Sequence, residues 1–161
     1  MARPNPIRSI MATPLPSVWI QKRKPFRPDE EFVKYAYNTL NKYVFENELV
    51  RPEIKLSTLR KTWGWCLGGT EYEPSGSMCV IRLYDKWYTP SWFMNILAHE
   101  MAHQYQWDVI GPEREEAGQE AIMSHGPSFF IWKDRFDHYG LHLKTAPRIR
   151  RWFKYQTFDK C

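Results

Sequence analysis

The chain has 161 residues, enough for one compact domain with a flexible end and too few for two full ones. Hydrophobic residues make up 43% and aromatics 16%, with eight Trp, which provides a packed core and excludes a disordered chain. The formal charge of +5 favours polyanionic partners, while no apolar run approaches the roughly 18–20 residues of a membrane span.

Residues 1–28 carry six prolines (Pro4, Pro6, Pro14, Pro16, Pro25, Pro28) and the basic cluster Lys22, Arg23, Lys24, a composition that reads as a flexible arm. There is no apolar signal segment in it. From Asp29 the pattern turns helical: Asp29, Glu30 and Glu31 suit a helix N-terminus, and Phe32, Ala36, Leu40 and Tyr43 follow at helical spacing to about Phe45. Ile54 to Ser57 predicts a short strand, and Trp63/Trp65 and Cys79 to Leu83 predict two more, with turns at Gly68, Gly69 and Pro74 to Gly76. Trp63 and Trp65, two residues apart, are expected on one face of their strand, as core or as a wall for substrate.

A second helix is predicted from about Ser91 to Trp107, capped by Ser91 and stopped by Gly111 and Pro112. The acidic stretch Glu113, Glu115, Glu116, Glu120 reads as a loop or a short solvated helix. A third helix should begin at Pro127 and stop at Gly140. The domain is thus expected over 29–143, followed by a basic aromatic segment over 144–161. The three cysteines, Cys66, Cys79 and Cys161, are odd in number and form no CxxC pair, so neither a disulfide framework nor a zinc ribbon is encoded. Buried free thiols and a reducing, cytoplasmic setting are the expectation.

The chemistry lies in His99-Glu100-Met101-Ala102-His103. Two imidazoles four residues apart on a helix are offset by roughly 40° and 6 Å, so both can reach one zinc ion. A carboxylate at Glu100 then stands where a hydrolytic water is activated, able to take its proton and return it to a leaving amine. Zinc requires a third protein ligand and an open fourth position. His125 is the favoured candidate, because Gly126 lets the backbone approach and Pro127 fixes a loop-to-helix corner. Glu116 and Glu120 are the competing ligands, and His138 and His142 are weaker ones. Tyr105, Tyr139 and the C-terminal arginines are candidates for stabilising an oxyanion.

HEMAHQ followed by SHGPSFF resembles the SprT-like (Spartan-type) metallopeptidase domain family, whose pattern is HExxH and then HGxxF. Leu40 to Leu49 (LNKYVFENEL) resembles that family's first helix and its exit, and Lys61 to Cys66 (KTWGWC) its first hairpin, so the likeness covers about residues 29–140. The resemblance implies an α+β, zincin-like core of three main helices and a small sheet, with one zinc ion at His99, His103 and His125 and Glu100 as general base. It also implies peptide hydrolysis in DNA-bound or DNA-crosslinked proteins, switched on by single-stranded or distorted DNA. The chain departs from the family in a longer interval between His103 and His125 and in lacking a cysteine-rich ribbon.

Arg148, Arg150, Arg151, Trp152 and Lys154, with Tyr155 and Phe158, mix cations with aromatics, which suits single-stranded nucleic acid or a final strand with solvated cations. Three functions follow: a peptidase for DNA-associated proteins, a zinc-stabilised binding module without turnover, and a processing peptidase unrelated to DNA. A structural zinc site closes with a fourth Cys or His and has no use for Glu100, which favours the peptidases.

Overall fold

The computed structural model describes residues 5–12, 26–59, 62–69, 71–87, 89–118 and 125–144. Helix α1 (Pro6–Met11) begins where Asn5 Oδ1 accepts the backbone N–H groups of Ile7 and Arg8, with Pro6 in the first turn where no donor is needed. Ile7 and Ile10, one turn apart, are buried against the helices that follow. The expectation of an irregular arm is therefore corrected over these residues: a local cap and an i,i+3 apolar pair outweigh the proline content. The basic cluster Lys22 to Lys24 lies outside the described residues.

Helix α2 (Glu30–Tyr43) starts at Asp29, whose carboxylate accepts the N–H of Phe32 at 2.7 Å, and its first turn carries Glu30 and Glu31. It buries Val33, Ala36, Tyr37 and Leu40. Glu46 and Asn47, at φ 57° and 59°, reverse the chain in the left-handed region. Asn41 fastens that turn, donating to the carbonyl of Leu49 and accepting its N–H.

Strands β1 (Glu53–Ser57), β2 (Gly64–Gly68) and β3 (Cys79–Tyr84) form a sheet in the order β1-β3-β2. β1 runs parallel to β3 and β2 antiparallel to it, with Ile54 and Cys66 both opposite Ile81. Ile81 and Leu83 face the core. Trp63 and Trp65 part company, because Trp63 precedes β2. Trp63 is 1% exposed and stacks on Trp87 at 4.9 Å, whereas Trp65 is 40% exposed. Cys66 and Cys79 are free thiols, and the pKa of Cys66 is raised by the neighbouring Cys79 thiol and by burial.

Helix α3 (Pro90–Tyr105) is capped by Thr89, two residues before the expected Ser91, and is buried from Phe93 to Tyr105. A helix enclosed on all sides belongs at the centre of a fold, and it packs on α1, α2 and β2. Gly111 and Pro112 do not stop it. The chain widens into a π-helical turn (Gln106–Ile110), in which Gly111 N–H reaches Gln106 O, and continues as α4 (Gly111–Glu116). That wider turn removes the clash Pro112 would make with a carbonyl of a regular α-helix. The third expected helix is shorter than its pattern. A turn over 125–129 leads into a 3₁₀ turn (Phe130–Trp132) and then α5 (Lys133–His138), closed by Gly140 at φ 79°. The architecture is α+β, and no helix among the described residues is long and apolar enough to cross a membrane.

Candidate metal centre

Helix α3 holds His99, Glu100 and His103, all buried, with Met101 and Ala102 packed into the core beside them. His125 comes from the turn before the 3₁₀ segment. There Phe129 N–H donates to Gly126 O and the fully buried Phe129 ring anchors the turn. One ring nitrogen from each of His99, His103 and His125 lies within 4.8 Å of the others. Nε2 of His103 and Nε2 of His125 stand 3.1 Å apart. The Phe129 ring contacts all three imidazoles, with centroids 4.8, 4.6 and 4.8 Å from His99, His103 and His125, and forms an apolar wall to the cluster.

Burial holds these imidazoles neutral. His99 is pushed well below its ordinary pKa by burial and then by His103 and His125, with the Lys144 backbone carbonyl acting the other way. His103 falls to about 4, chiefly through burial, and His125 is lowered by the same cause. Glu100 moves oppositely: full burial raises its carboxyl to about 8, and the Cys66 backbone offsets this only in part. Neither ring nitrogen of His99 and neither oxygen of Glu100 has a hydrogen-bond partner among the described residues. Unpaired buried polar atoms are costly, and the His99 ring nitrogens, one of them within 4.8 Å of a nitrogen of His103 and of His125, call for a ligand. Three neutral imidazoles beside a carboxylate suit a divalent cation such as zinc, and the donor set therefore fits a metal ion.

The other candidates are elsewhere. Glu116 is exposed at the end of α4, and Glu120 lies outside the described residues. His138 is exposed against the Tyr139 ring, and His142 is exposed, its backbone N–H donating to Asn95 Oδ1. Tyr105 packs edge-on to Trp132 and Tyr139 packs against Tyr43, so neither faces the histidine cluster through its ring contacts. Arg148, Arg150, Arg151, Trp152 and Lys154 lie outside the described residues.

Two residues with a place in the site carried no assignment in the sequence reading. Phe129 was visible only as the last letter of HGxxF. Gln106, fully buried, is bonded to His103, and its signal was an i,i+3 spacing that any helix provides.

The family model described as the SprT-like family matches residues 33–147, a span that includes the sheet, α3 and the turn carrying His125. Comparison with curated proteins gives no match.

Proposed function

Because the chain belongs to the SprT-like family, a metallopeptidase type of domain, we propose that it is a zinc-dependent peptidase acting on proteins attached to DNA. The observation that carries this reading is the convergence of three imidazoles, two from the central helix and one from the turn at His125, with the buried Glu100 next to His99 on that helix. His99, His103 and His125 would hold one ion per chain. Bound there, zinc supplies Lewis acidity toward the peptide carbonyl and the attacking water.

Glu100 is the general base. Its buried carboxyl, raised to about 8 without a metal ion, would act in the ionised form that a neighbouring cation favours, taking a proton from the attacking water and delivering it to the leaving amine. β2 is an edge strand packed against α3, so its outer main-chain edge offers an alignment for an extended peptide next to Glu100. The burial of His99, Glu100 and Phe129 keeps the floor of the site dry, which strengthens electrostatic interactions there.

The DNA-linked substrate class is supported by the +5 charge, by the cations and aromatics Arg148, Arg150, Arg151, Trp152 and Lys154, and by the family resemblance. Single-stranded DNA is the expected activating partner. The test is incubation of zinc-loaded protein with a DNA-binding protein as substrate, with and without single-stranded DNA, beside the Glu100→Gln variant. Cleavage that needs DNA and Glu100 is the expected result. Cleavage indifferent to DNA would replace the substrate class with that of a processing peptidase, and zinc uptake without cleavage would make the domain a binding module.

A further inference from the structure

Nδ1 of His103 lies 2.8 Å from Oε1 of Gln106, and Nε2 of Gln106 donates to Oγ of Ser128 at 2.8 Å. Gln106 is fully buried at the first residue of the π-helical turn, three residues after His103 on the same helical face. Ser128 belongs to the turn that carries His125. One side-chain amide therefore joins the helix that supplies two of the imidazoles to the separate segment that supplies the third.

We infer that Gln106 is the positioning residue of this centre, fixing the tautomer of His103 and locking the His125 turn onto α3. The amide has two faces, and they are not equivalent. With Oε1 toward the ring, Nδ1 must carry the hydrogen and Nε2 presents a lone pair toward His125, the form in which an imidazole binds a metal. With the amide reversed, Nδ1 would accept, and Nε2 would point an N–H into the space where a cation belongs. In the orientation present here Ser128 accepts from the amide NH₂, which leaves Oε1 turned to the ring. A hydrogen bond that fixes a ligating imidazole in this way is commonly worth about 10- to 100-fold in metal affinity.

This role rests on the reading of His103 as a ligand, so the test separates the two. In the zinc-free full chain, nitrogen NMR of the His103 ring at neutral pH should report the Nδ1–H tautomer, a measurement that involves no metal. Gln106→Met, which keeps the side-chain length and removes both bonds, should shift His103 toward Nε2–H. It should also weaken zinc binding about 10- to 100-fold in chelator competition. Gln106→Glu retains an acceptor oxygen that Ser128 can also donate to, and should recover most of the affinity. Ser128→Ala, at the partly exposed end, should show a smaller loss in the same direction, and it serves if Gln106→Met does not fold. The inference is overturned if wild-type His103 is Nε2–H, or if Gln106→Met binds zinc like wild type. It is equally overturned if Gln106→Glu is as poor as Gln106→Met at equal zinc-free melting temperature. A wild type that takes up no zinc while His103 remains Nδ1–H would overturn the ligand reading and the metal part of this role, leaving the tautomer assignment standing.

Discussion

Nε2 of His103 faces Nε2 of His125 across 3.1 Å, although the two residues are 22 positions apart and come from different elements. Two neutral ring nitrogens at that separation turn lone pairs toward each other unless a proton or a cation lies between them. Both pKa values are lowered, so neither ring carries an extra proton, and what lies between them is one ring's own N–H or, in the zinc-bound form we expect, the ion. We expect one zinc per chain, and His125→Ala should lose it while Glu116→Ala keeps it. A bound ion at a hundredfold excess over Kd stabilises a fold by about 2.7 kcal/mol. Chelator should therefore lower the wild-type melting temperature and leave that of His125→Ala nearly unchanged. Elemental analysis beside paired melts decides it, and zinc retained by His125→Ala would remove this residue from the ligand set.

Glu100 gives a pH signature that needs no substrate. In the zinc-free protein its carboxyl titrates at about 8, against 4.5 when exposed, so the folded chain holds a proton that the unfolded chain has released. The raised value contributes stability that is fully present below about pH 4.5 and is lost as pH climbs to about 8, at up to about 1.4 kcal/mol per pH unit. His103, with its lowered value, acts in the other direction, losing stability as pH falls from 6.5 toward about 4, but it does so in wild type and variant alike. Glu100→Gln should thus melt progressively higher than wild type between pH 5 and pH 8. A constant difference across that range would show that Glu100 is not buried as described. With zinc bound, the same variant should lose about 100- to 10,000-fold in turnover.

Much of this was legible in the sequence because the signals are local. Asp29 before two glutamates, the apolar spacing of α2 and the two histidines of α3 each act within a few residues, and both elements lie close to where their patterns put them, whereas the helix expected from Pro127 is a turn until Phe130 and α-helical only from Lys133. Composition misled where it averaged over a window, as with α1, where the six prolines of residues 1–28 masked the local signal of the Asn5 cap and the Ile7/Ile10 pair. Single-residue rules failed where the backbone found another geometry. Gly111-Pro112 read as a stop because a regular α-helix was assumed, and the π-helical turn admits both residues. Trp63 and Trp65 alternate correctly for a strand, but the strand begins at Gly64, so the tertiary environment separates them. The parallel pairing of β1 with β3 and the Gln106 bridge depend on contacts distant in sequence, for which one sequence carries no periodic signal.

Gly68 has no room for a side chain. A Cβ there would run into the indole of Trp107, which lies across the end of β2 from the π-helical turn. Gly68→Ala must move the indole or the strand, and overpacking of this kind costs about 1–3 kcal/mol. Chemical denaturation should show that loss, together with a changed Trp emission in the folded state. An alanine variant as stable as wild type would mean that Trp107 does not rest on this strand.

Asp108 ties the far end of the central helix to the sheet. Its carboxylate accepts the Ser77 hydroxyl at 2.6 Å, the Met78 N–H at 2.8 Å and the Gln104 amide at 3.0 Å. Gln104, next to His103 and fully buried, also donates to Val50 O and accepts the Tyr37 hydroxyl, whose pKa burial raises. Asp108→Ala leaves the Ser77 hydroxyl and the Met78 N–H short of this acceptor and removes one of the three acceptors of the Gln104 amide. Each unsatisfied buried donor costs about 1–3 kcal/mol before water replaces part of the bond, so a total of about 3 kcal/mol is expected. Tyr37→Phe removes a single hydroxyl and leaves Val50 O still served by Gln104, and should cost about 1 kcal/mol. None of these bonds reaches an imidazole nitrogen, so zinc content should stay at one per chain well below the melting temperature. Denaturant titrations beside metal analysis separate the two roles: zinc lost from Asp108→Ala at unchanged stability would mean that this network serves the metal centre and not the scaffold beneath it.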